Sequence, residues 1–305
     1  MNQAYINSVR LLLAVAPAIF RRPLFALKGG TAINLFVRDM PRLSVDLDLV
    51  HADHRPSREE ALEEVSSALE AIRDELNGQG FQSETGATSE GSEVKLFIQR
   101  NRTRIKIEAN HVFRGTVLPV QNRPLVQLAQ DTFLTDLRAP VLHPDELYGS
   151  KLAAALDRQH PRDFFDVLGL YEADGLTPEM VECFVCYLAG HNRPVHEVLF
   201  ANQLDIRAAF ANEFEGMTRA PVTLDTLLEV RRKLFADLPA ALTGKHRDFL
   251  SGLVRCEPDW SLMSCQHLQQ MPAIRWKLEN LTRLRKSNPS KFSLQSDLLR
   301  SRFED

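Results

Sequence analysis

The sequence predicts an α/β core with a mixed sheet (α+β), expected at residues 1–140, followed by an all-helical C-terminal domain at residues 141–305. Three observations indicate this fold class. Residues 24–50 have the pattern of a strand, a glycine turn, a helix and a second strand. Residues 93–111 alternate apolar and polar side chains as a hairpin does, and apolar residues recur at helical spacing after residue 144.

Composition limits the classes of protein that the chain can represent. It carries 37 Lys and Arg against 40 Asp and Glu, which excludes a globally basic nucleic-acid-binding surface but not a local basic patch. The apolar stretch Val9–Phe20 is interrupted by Pro17 and followed by Arg21 and Arg22. No segment reaches the roughly 18 apolar residues of a membrane span. We expect a cytoplasmic protein with no membrane partner, whose first helix packs on the core.

The four cysteines indicate reduced thiols rather than a metal site. Cys183 and Cys186 form a C-x-x-C pattern in an apolar, helical segment. A zinc site would need a second pair of ligands at similar spacing, and the sequence offers none. We therefore expect buried thiols.

The first strand and the glycine pair after it have the pattern of a phosphate-binding turn. Leu24–Leu27 is predicted as a strand, Gly29 and Gly30 as a turn that backbone and ligand can share, and Thr31–Val37 as a helix. A helix N-terminus behind such a turn presents backbone N–H groups and the positive end of the helix dipole, which suits a phosphate.

The next strand carries two carboxylates. Asp46 and Asp48 are two positions apart in the predicted strand Ser44–Val50, so they share one face. The residues predicted to face the core are Val45, Leu47 and Leu49. Two like charges side by side repel unless a cation lies between them. The pattern therefore predicts a Mg²⁺ site formed by the two carboxylates and the phosphates of a substrate.

Three further elements complete the small domain. A capping-box pattern at Ser57–Glu60 predicts the start of a helix. Residues 83–93 are predicted as a polar loop, and Glu93–Gln99 and Thr103–His111 as the strands of a hairpin. The predicted order is αβαβαββ, and residues 112–140 are predicted as loop and strand.

The helical part begins at Pro144. The helix that starts there carries Lys151, predicted on its exposed side, and the next segment carries Asp163 and Asp166, which share a face. Further helices are predicted at Pro178–Ala189, Leu224–Leu238 and Asp259–Leu284.

Two basic clusters lie in this part, at residues 231–233 and 283–286. They are predicted as solvated faces, and they become the candidates for phosphate contacts if the partner is RNA. Trp276, between Arg275 and Lys277, is predicted in the core, with stacking on a base as the alternative.

Two of these segments together resemble a known family. A Gly-Gly-Thr followed by a D-x-D is the signature of the polymerase-β-like nucleotidyltransferase superfamily. The segments KGGTAINL and RLSVDLDLV resemble the AbiEii/AbiGii toxins of type IV toxin–antitoxin systems, which include the MenT-type toxins. The helix with Lys151 and the segment RDFFDV resemble a second motif of that family, with Val167 where leucine is usual. The glycine patterns of P-loop and dinucleotide-binding proteins are absent from the sequence.

The resemblance implies a Mg²⁺-dependent nucleotidyltransferase. Such an enzyme transfers a nucleoside monophosphate from a nucleoside triphosphate (NTP) to an acceptor hydroxyl, in several members at the 3′ end of tRNA, and so halts translation and growth. A partner antitoxin is implied as well. The implied metal ligands, in a two-metal site, are Asp46, Asp48 and Glu108, and the implied catalytic residues are these three with Lys151 and Asp163. The implied nucleotide-binding residues are Lys28, Gly29, Gly30, Thr31, Ser44, Lys151, Arg162 and Asp166.

Structural roles stay open for some of these residues. Glu108 could be a solvent-facing member of an ion pair with Lys106. Arg162, Asp163 and Asp166 could cap a helix and form an internal ion pair.

Three other functions share the same motifs. They are a nucleotidyltransferase that modifies a small molecule such as an antibiotic, one that modifies a protein, and a non-catalytic nucleotide-binding module. A basic surface would favour tRNA, whereas a closed acidic pocket would favour a cationic small molecule. Three clustered carboxylates argue against a module that only binds.

A last hypothesis concerns regulation. Ser44 lies on the strand face of Asp46. A phosphate on Ser44 would add about −1.5 to −2 charges beside the carboxylates and repel the triphosphate. A simple hydrogen bond from Ser44 to the loop is the alternative.

Overall fold

A computed structural model describes residues 2–87, 93–110 and 113–304. The chain forms two compact units. The first comprises Met1–Leu147 and Phe214–Val222, and the second comprises Tyr148–Glu213 and Thr223–Asp305. The first unit thus runs past residue 140 and takes in a short segment from the middle of the predicted helical part.

The first unit is built on a mixed sheet. Its strands are β1 (Phe25–Lys28), β2 (Asp46–His51), β3 (Gln82–Ala87), β4 (Glu93–Arg100), β5 (Thr103–Asn110), β6 (Gln121–Pro124) and β7 (Arg138–Val141). In the described part of the chain these form one seven-stranded sheet of order β3-β4-β5-β2-β1-β7-β6. β2 runs antiparallel to β1 but parallel to β5, and β1 runs parallel to β7. The predicted fold class, a mixed α/β core followed by helices, is confirmed.

Helices cover one face of this sheet. The helices of the unit are α1 (Gln3–Phe20), α2 (Gly29–Ala32), α3 (Arg58–Gly78), α4 (Gln127–Phe133) and the first turn of α5 (Pro144–Asp157). α1 packs on β5, and α3 packs on β3 and β4. Apolar side chains of the central strands face these helices and are fully buried, among them Leu47, Leu49 and Ile107. The opposite face therefore receives the intervening polar residues.

α1 has the length and the apolar composition of a membrane-spanning helix. It is the one helix among the described residues that is long and apolar enough. Val9, Leu12 and Ile19 of this helix are nonetheless buried in the unit. α1 thus packs on the core, as the sequence predicts.

Two local features follow the sequence closely. The capping box before α3 is present, because the Ser57 hydroxyl accepts the N–H of Glu60 and the Glu60 carboxylate accepts the N–H of Ser57. The helix predicted at Thr31–Val37 is present, but it starts two residues earlier, at Gly29, and continues beyond Ala32 as a π-helical turn, Ile33–Val37.

Three predictions for this unit need correction. Residues 83–87, predicted as loop, belong to β3, which adds a strand to the predicted order. Residues 88–92 of that predicted loop and His111 of the predicted hairpin lie outside the described residues. α4 lies in a region predicted as loop and strand. The second strand starts at Asp46 rather than Ser44, and Val45 is only half-buried.

The segment 214–222 returns to the loop that precedes β2. The N–H of Leu43 donates to Met217 O at 2.9 Å, and the N–H of Arg219 donates to Pro41 O at 3.0 Å. The N–H of Asn2 donates to Gly216 O at 2.9 Å. This segment therefore fixes the loop between the glycine turn and the acidic strand.

Helices are the regular elements of the second unit in its described residues, and loops join them. After the rest of α5 come α6 (Pro161–Glu172), α7 (Pro178–Ala189), α8 (Val195–Leu199), α9 (Arg207–Glu213), α10 (Leu224–Ala241), α11 (Gly244–Val254), α12 (Pro272–Ser287) and α13 (Pro289–Glu304). The continuous helix predicted at Asp259–Leu284 is wrong. Two 3₁₀ turns precede α12, which starts at Pro272 because proline at a first helical position has no N–H to satisfy.

The cysteines of this unit are thiols rather than members of disulfides, and the C-x-x-C pair is buried in α7. A Cβ on Gly149 of α5 would lie 2.6 Å from Cys183 Cβ, so α5 and α7 are in close contact there. Cys183 and Cys186 thus have a packing role.

Candidate active site

A row of charged residues crosses the polar face of the sheet in the first unit. Lys28 of β1 is paired in register with Asp48 of β2, and Asp48 is paired with Glu108 of β5. Glu108 is paired with Lys95 of β4. Residues directly opposite each other point to the same face, so these four side chains lie side by side. Asp46, two positions earlier in β2, occupies the same face.

Asp48 lies against the glycine turn. A Cβ on Gly29 would come within 2.1 Å of Asp48 Oδ2, closer than any side chain tolerates. Gly29 also has a φ of +73°, which glycine adopts without strain. This position therefore requires glycine for two reasons, and the carboxylate fills the space that a side chain would take.

Gly30 is packed in the same way by a buried arginine. A Cβ at Gly30 would lie 2.6 Å from Arg42 Nη2 and 2.9 Å from Ser44 Oγ. Arg42 is buried, and its Nη1 donates to Leu43 O at 3.0 Å. Ser44 is buried too, so its hydroxyl lies beneath the glycine turn.

Two side chains of the helix hold this turn, and one of them connects it to the acidic strand. The Thr31 hydroxyl donates to the main-chain oxygen of Asp46, and the Asn34 side-chain amide donates to Gly30 O at 2.9 Å. The helix start and Asp46 are thus held at a fixed separation.

Glu108 is held by two lysines. Its Oε1 lies 2.7 Å from Lys95 Nζ, and its Oε2 lies 3.0 Å from Lys106 Nζ. Burial raises the pKa of this carboxyl, but the hydrogen bonds and charges of the two ammonium groups outweigh burial and hold the pKa below its ordinary value. Glu108 is therefore ionised at neutral pH.

The second unit contains a buried charge cluster on α5 and α6. Lys151 Nζ lies 2.9 Å from Asp163 Oδ1 and 3.0 Å from Asp166 Oδ2. The prediction that Lys151 lies on the exposed side of its helix is wrong, because its side chain is 4% exposed. The two aspartates compensate its charge, which makes burial possible.

Asp163 has a second cationic partner. Arg158 Nε lies 2.6 Å from Asp163 Oδ2, and Arg158 Nη2 donates to Oδ1 at 2.8 Å. Burial raises the pKa of Asp163, but the charges of Lys151 and Arg158 dominate and place the pKa far below its ordinary value. The carboxylate stays charged although it is fully buried.

Arg162 lies at the start of α6. His160 caps this helix, since its Nδ1 accepts the N–H of Arg162. The Arg162 side chain is half-buried beside the same imidazole. The cap expected from an aspartate is thus supplied by a histidine.

The structure therefore groups the predicted residues within each unit. The first unit brings together Lys28, Gly29, Gly30, Thr31, Ser44, Asp46, Asp48 and Glu108. The second unit brings together Lys151, Asp163 and Asp166, with Arg162 on the same helix as the two aspartates.

Comparison with known proteins decides the family. A sequence profile described as the AbiEii nucleotidyl transferase toxin of type IV toxin–antitoxin systems matches residues 10–280. This chain belongs to the AbiEii family. It is accordingly a nucleotidyltransferase toxin of a type IV toxin–antitoxin system, and the family implies an NTP substrate and a partner antitoxin. No curated protein sequence gives a significant match.

The fold agrees with this assignment. The AbiEii chain is similar in structure to MenT4, a nucleotidyltransferase toxin from Mycobacterium tuberculosis H37Rv. The two share 19% sequence identity, the match covers 92% of each chain, and the TM-score is 0.61.

Two carboxylates of this chain are of the type that could hold one Mg²⁺. Asp46 and Asp48 are carboxylates on one strand face, and Mg²⁺ is commonly held by one or two carboxylates plus substrate phosphates. Both oxygens of Glu108 contact ammonium groups instead. Among the described residues, no group of three His, Cys, Asp or Glu is arranged to hold a metal. A second metal at Glu108 stays a prediction, and it requires the lysines to release this carboxylate.

Lys95 and Arg42 were not among the residues predicted for this site, whereas the alternative ion pair of Glu108 with Lys106 is present. A signal for Lys95 was present, because a hairpin that turns at residues 100–102 places Lys95 opposite Glu108. No comparable signal marks Arg42, whose burial depends on the distant segment 214–222.

Proposed function

We propose that this enzyme transfers a nucleoside monophosphate from an NTP to the 3′ end of tRNA, with Mg²⁺, in the cytoplasm. Blocked tRNA would stop translation and growth until the antitoxin neutralises the toxin. The observation that carries the proposal is the position of Asp46 and Asp48, on one strand face beside the Gly29 turn. That arrangement would bring two metal ligands close to the start of α2, where a phosphate would bind.

The reaction is an in-line displacement. The 3′ hydroxyl oxygen forms a bond to the α-phosphorus, the bond from that phosphorus to the α,β-bridging oxygen breaks, and pyrophosphate leaves with the electron pair. Bound Mg²⁺ neutralises phosphate charge and polarises the attacking hydroxyl. Asp46 and Asp48 would hold this ion, and Glu108 is the candidate to accept the hydroxyl proton. Catalysis would come mainly from positioning and charge neutralisation.

The nucleotide-binding residues are assigned on the same basis. Gly29 and Gly30 form the start of α2, whose backbone N–H groups would bind the triphosphate. Lys28, which is paired in register with Asp48, would contact a phosphate. Thr31 and Ser44 would hold the turn in position, since both lie next to it.

Residues of the second unit enter the proposal through the family motif. Lys151 would stabilise the charge that develops on pyrophosphate. Asp163 and Asp166 would hold its ammonium group, as their ion pairs with it support. Arg162 would contact the nucleotide.

The test is transfer of label from each NTP, radiolabelled at the α-phosphate, to total tRNA in the presence of Mg²⁺. We expect label on tRNA from at least one NTP. An Asp46→Ala/Asp48→Ala variant should give none, whereas the matched variant Asp74→Ala/Asp131→Ala, which removes two exposed aspartates of the same unit, should act like the wild type.

Other labelling results would show that the acceptor is not tRNA. Label recovered on protein would identify a protein-modifying enzyme, and label on a small cationic molecule a drug-modifying one. Binding of NTP with no transfer to any acceptor would indicate a nucleotide-binding module.

A further inference from the structure

The C-terminal helical pair concentrates positive charge on an acidic protein. The chain as a whole has a net charge of −3, yet residues 272–304, which form α12 and α13, contain eight Lys and Arg against three Asp and Glu. Seven of these eight cations are exposed. The exception is Lys277, which is buried and donates to His191 O and Arg193 O. Most of this pair also lies beyond residue 280, where the family match ends.

One face of α12 combines cations with an exposed tryptophan. The opposite face of the helix is buried through Ala273, Ile274, Lys277 and Leu281. Trp276 is 46% exposed, so the prediction that it lies in the core is wrong. The guanidinium of Arg283 lies 5.6 Å from the centre of the Trp276 ring. We call Arg275, Trp276, Arg283 and Lys286, which share this exposed face, the basic face of α12.

The charges of this face are only partly compensated. Arg283 pairs with Glu279 on the same helix. In the described part of the chain, Arg275 and Lys286 take part in no ion pair. From Arg275 to Lys286 the helix rises about 16 Å, enough to follow several consecutive phosphates. The other basic cluster, at residues 231–233, has fewer cations available to a ligand, because Arg231 is buried and donates to Leu204 O and Gln203.

This chemistry fits RNA. Proteins that bind single-stranded nucleic acid combine cations along the backbone with an aromatic ring or a guanidinium on which a base stacks. Trp276 with Arg283 supplies such a stacking surface, and Arg275 and Lys286 supply cations on either side.

A membrane-binding helix would instead need a broad apolar face, and this face has a single apolar side chain. We propose that the basic face of α12 binds RNA, by stacking an unpaired base on Trp276 and neutralising the adjoining phosphates. The inference rests on the proposed function, since it places a binding surface for the RNA substrate.

The experiment measures binding without NTP and therefore does not depend on transfer. A short fluorescein-labelled single-stranded RNA and deacylated tRNA are titrated with the full-length protein, and fluorescence anisotropy is recorded over a salt series. We expect an Arg275→Ala/Arg283→Ala/Lys286→Ala variant to bind RNA at least tenfold more weakly. The slope of log affinity against log salt, which is negative, should become shallower by about 2, because three phosphate contacts are lost. The matched variant Arg193→Ala/Arg207→Ala/Lys245→Ala removes three exposed cations of the same unit that lie outside both basic clusters, and it should bind like the wild type.

Tryptophan fluorescence reports the stacking directly. RNA should quench the emission of the wild type, and Trp276→Phe should abolish most of this quenching while it keeps most of the affinity. Trp276→Ala should weaken binding roughly tenfold. Thermal unfolding checks that each variant is folded.

The outcomes separate this inference from the proposed function. Equal RNA affinity and salt slope in the α12 triple variant and the wild type would overturn the inference, and so would equal losses in the two triple variants. Equally tight binding of polyglutamate that depends on Trp276 would assign the face to an acidic protein and overturn it as well. Weakened RNA binding by the α12 variant supports it even where no NTP labels tRNA, a result that would overturn only the proposed function.

Discussion

Lys95 of β4 holds Glu108 of β5 through an ion pair of 2.7 Å between Nζ and Oε1, and Lys106 occupies the other oxygen of the same carboxylate. Glu108 is also the residue paired in register with Asp48. A metal ion bound at Glu108, as we propose, would therefore have to compete with an ammonium group for this carboxylate. This competition makes the role of Glu108 measurable.

Removal of Lys95 is expected to strengthen metal binding. Lys95→Met leaves Glu108 with one ammonium partner, and the affinity for Mn²⁺, measured by titration calorimetry, should rise about fivefold, the equivalent of one partly exposed ion pair. Lys95→Arg keeps the cation and should leave the affinity unchanged. An unchanged affinity in Lys95→Met would show that Glu108 is not a metal ligand.

Alanine at Gly29 is expected to damage both stability and metal binding. The φ of +73° costs a non-glycine residue about 1–3 kcal/mol. The added Cβ must also displace the Asp48 carboxylate, so Mn²⁺ binding should be lost. Gly80→Ala is the matched control, because Gly80 has a φ of +82° and no atom within 4 Å of its Cβ position. If Gly80→Ala abolishes Mn²⁺ binding as well, the contact with Asp48 is not the cause.

Loss of the Lys151 ammonium is expected to destabilise the second unit. Lys151→Met leaves two buried carboxylates without their shared partner, and breaking such a pair costs about 3–5 kcal/mol of unfolding free energy. Lys151→Met/Asp166→Asn should be more stable than Lys151→Met, because it also removes one of the stranded charges. Urea unfolding measures the free energy of unfolding of both variants. A double variant less stable than the single one would contradict this account.

Acid is expected to weaken the same cluster. The pKa of Asp163 is lower in the folded protein than its ordinary value of about 3.9, so its contribution is complete above that pH and is lost as pH falls further. The unfolding free energy of the wild type should therefore fall with pH below about 4. The Asp163→Asn variant should have a smaller unfolding free energy at neutral pH and lose less of it in acid. The Asp174→Asn variant, at an exposed position of the same unit, should show the pH dependence of the wild type. Parallel profiles of Asp163→Asn and the wild type would refute the assignment.

A negative charge at Ser44 is expected to disarm the site. The Ser44 hydroxyl lies beneath Gly30 and is buried, so a carboxylate there would crowd the turn and repel the triphosphate. Ser44→Asp should lose NTP binding in titration calorimetry, and Ser44→Ala should retain it. Full transferase activity of Ser44→Asp would end the hypothesis that phosphorylation of Ser44 regulates the enzyme.

Local patterns account for what the sequence predicts correctly. The two-residue period of a strand places Asp46 and Asp48 on one face wherever that strand lies in the sheet. The capping box at Ser57 is likewise decided by residues three apart. These features need no knowledge of distant contacts.

Contacts between residues far apart in the chain account for the features that the sequence does not predict. The polar residues of β3 form a strand because they pair with β4, not because of their own propensity. Lys151 is buried because α6 supplies two aspartates to it. Trp276 has an apolar side chain typical of a core, and only the packing of α12 shows that its face is solvent-exposed.

The hydrogen bonds between the loop before β2 and residues 214–222 also set an order of events during synthesis. Asp39 and Arg219, whose Nη1 donates to Asp39 O, are 180 residues apart. A ribosome adds about 5–20 residues per second, so a growing chain carries the Gly29 turn and both aspartates for many seconds before Arg219 exists. Until then, the loop that joins the turn to the aspartates lacks the partners that hold it in the finished protein. A prematurely terminated chain therefore keeps the acidic motif but not the support on which its geometry depends.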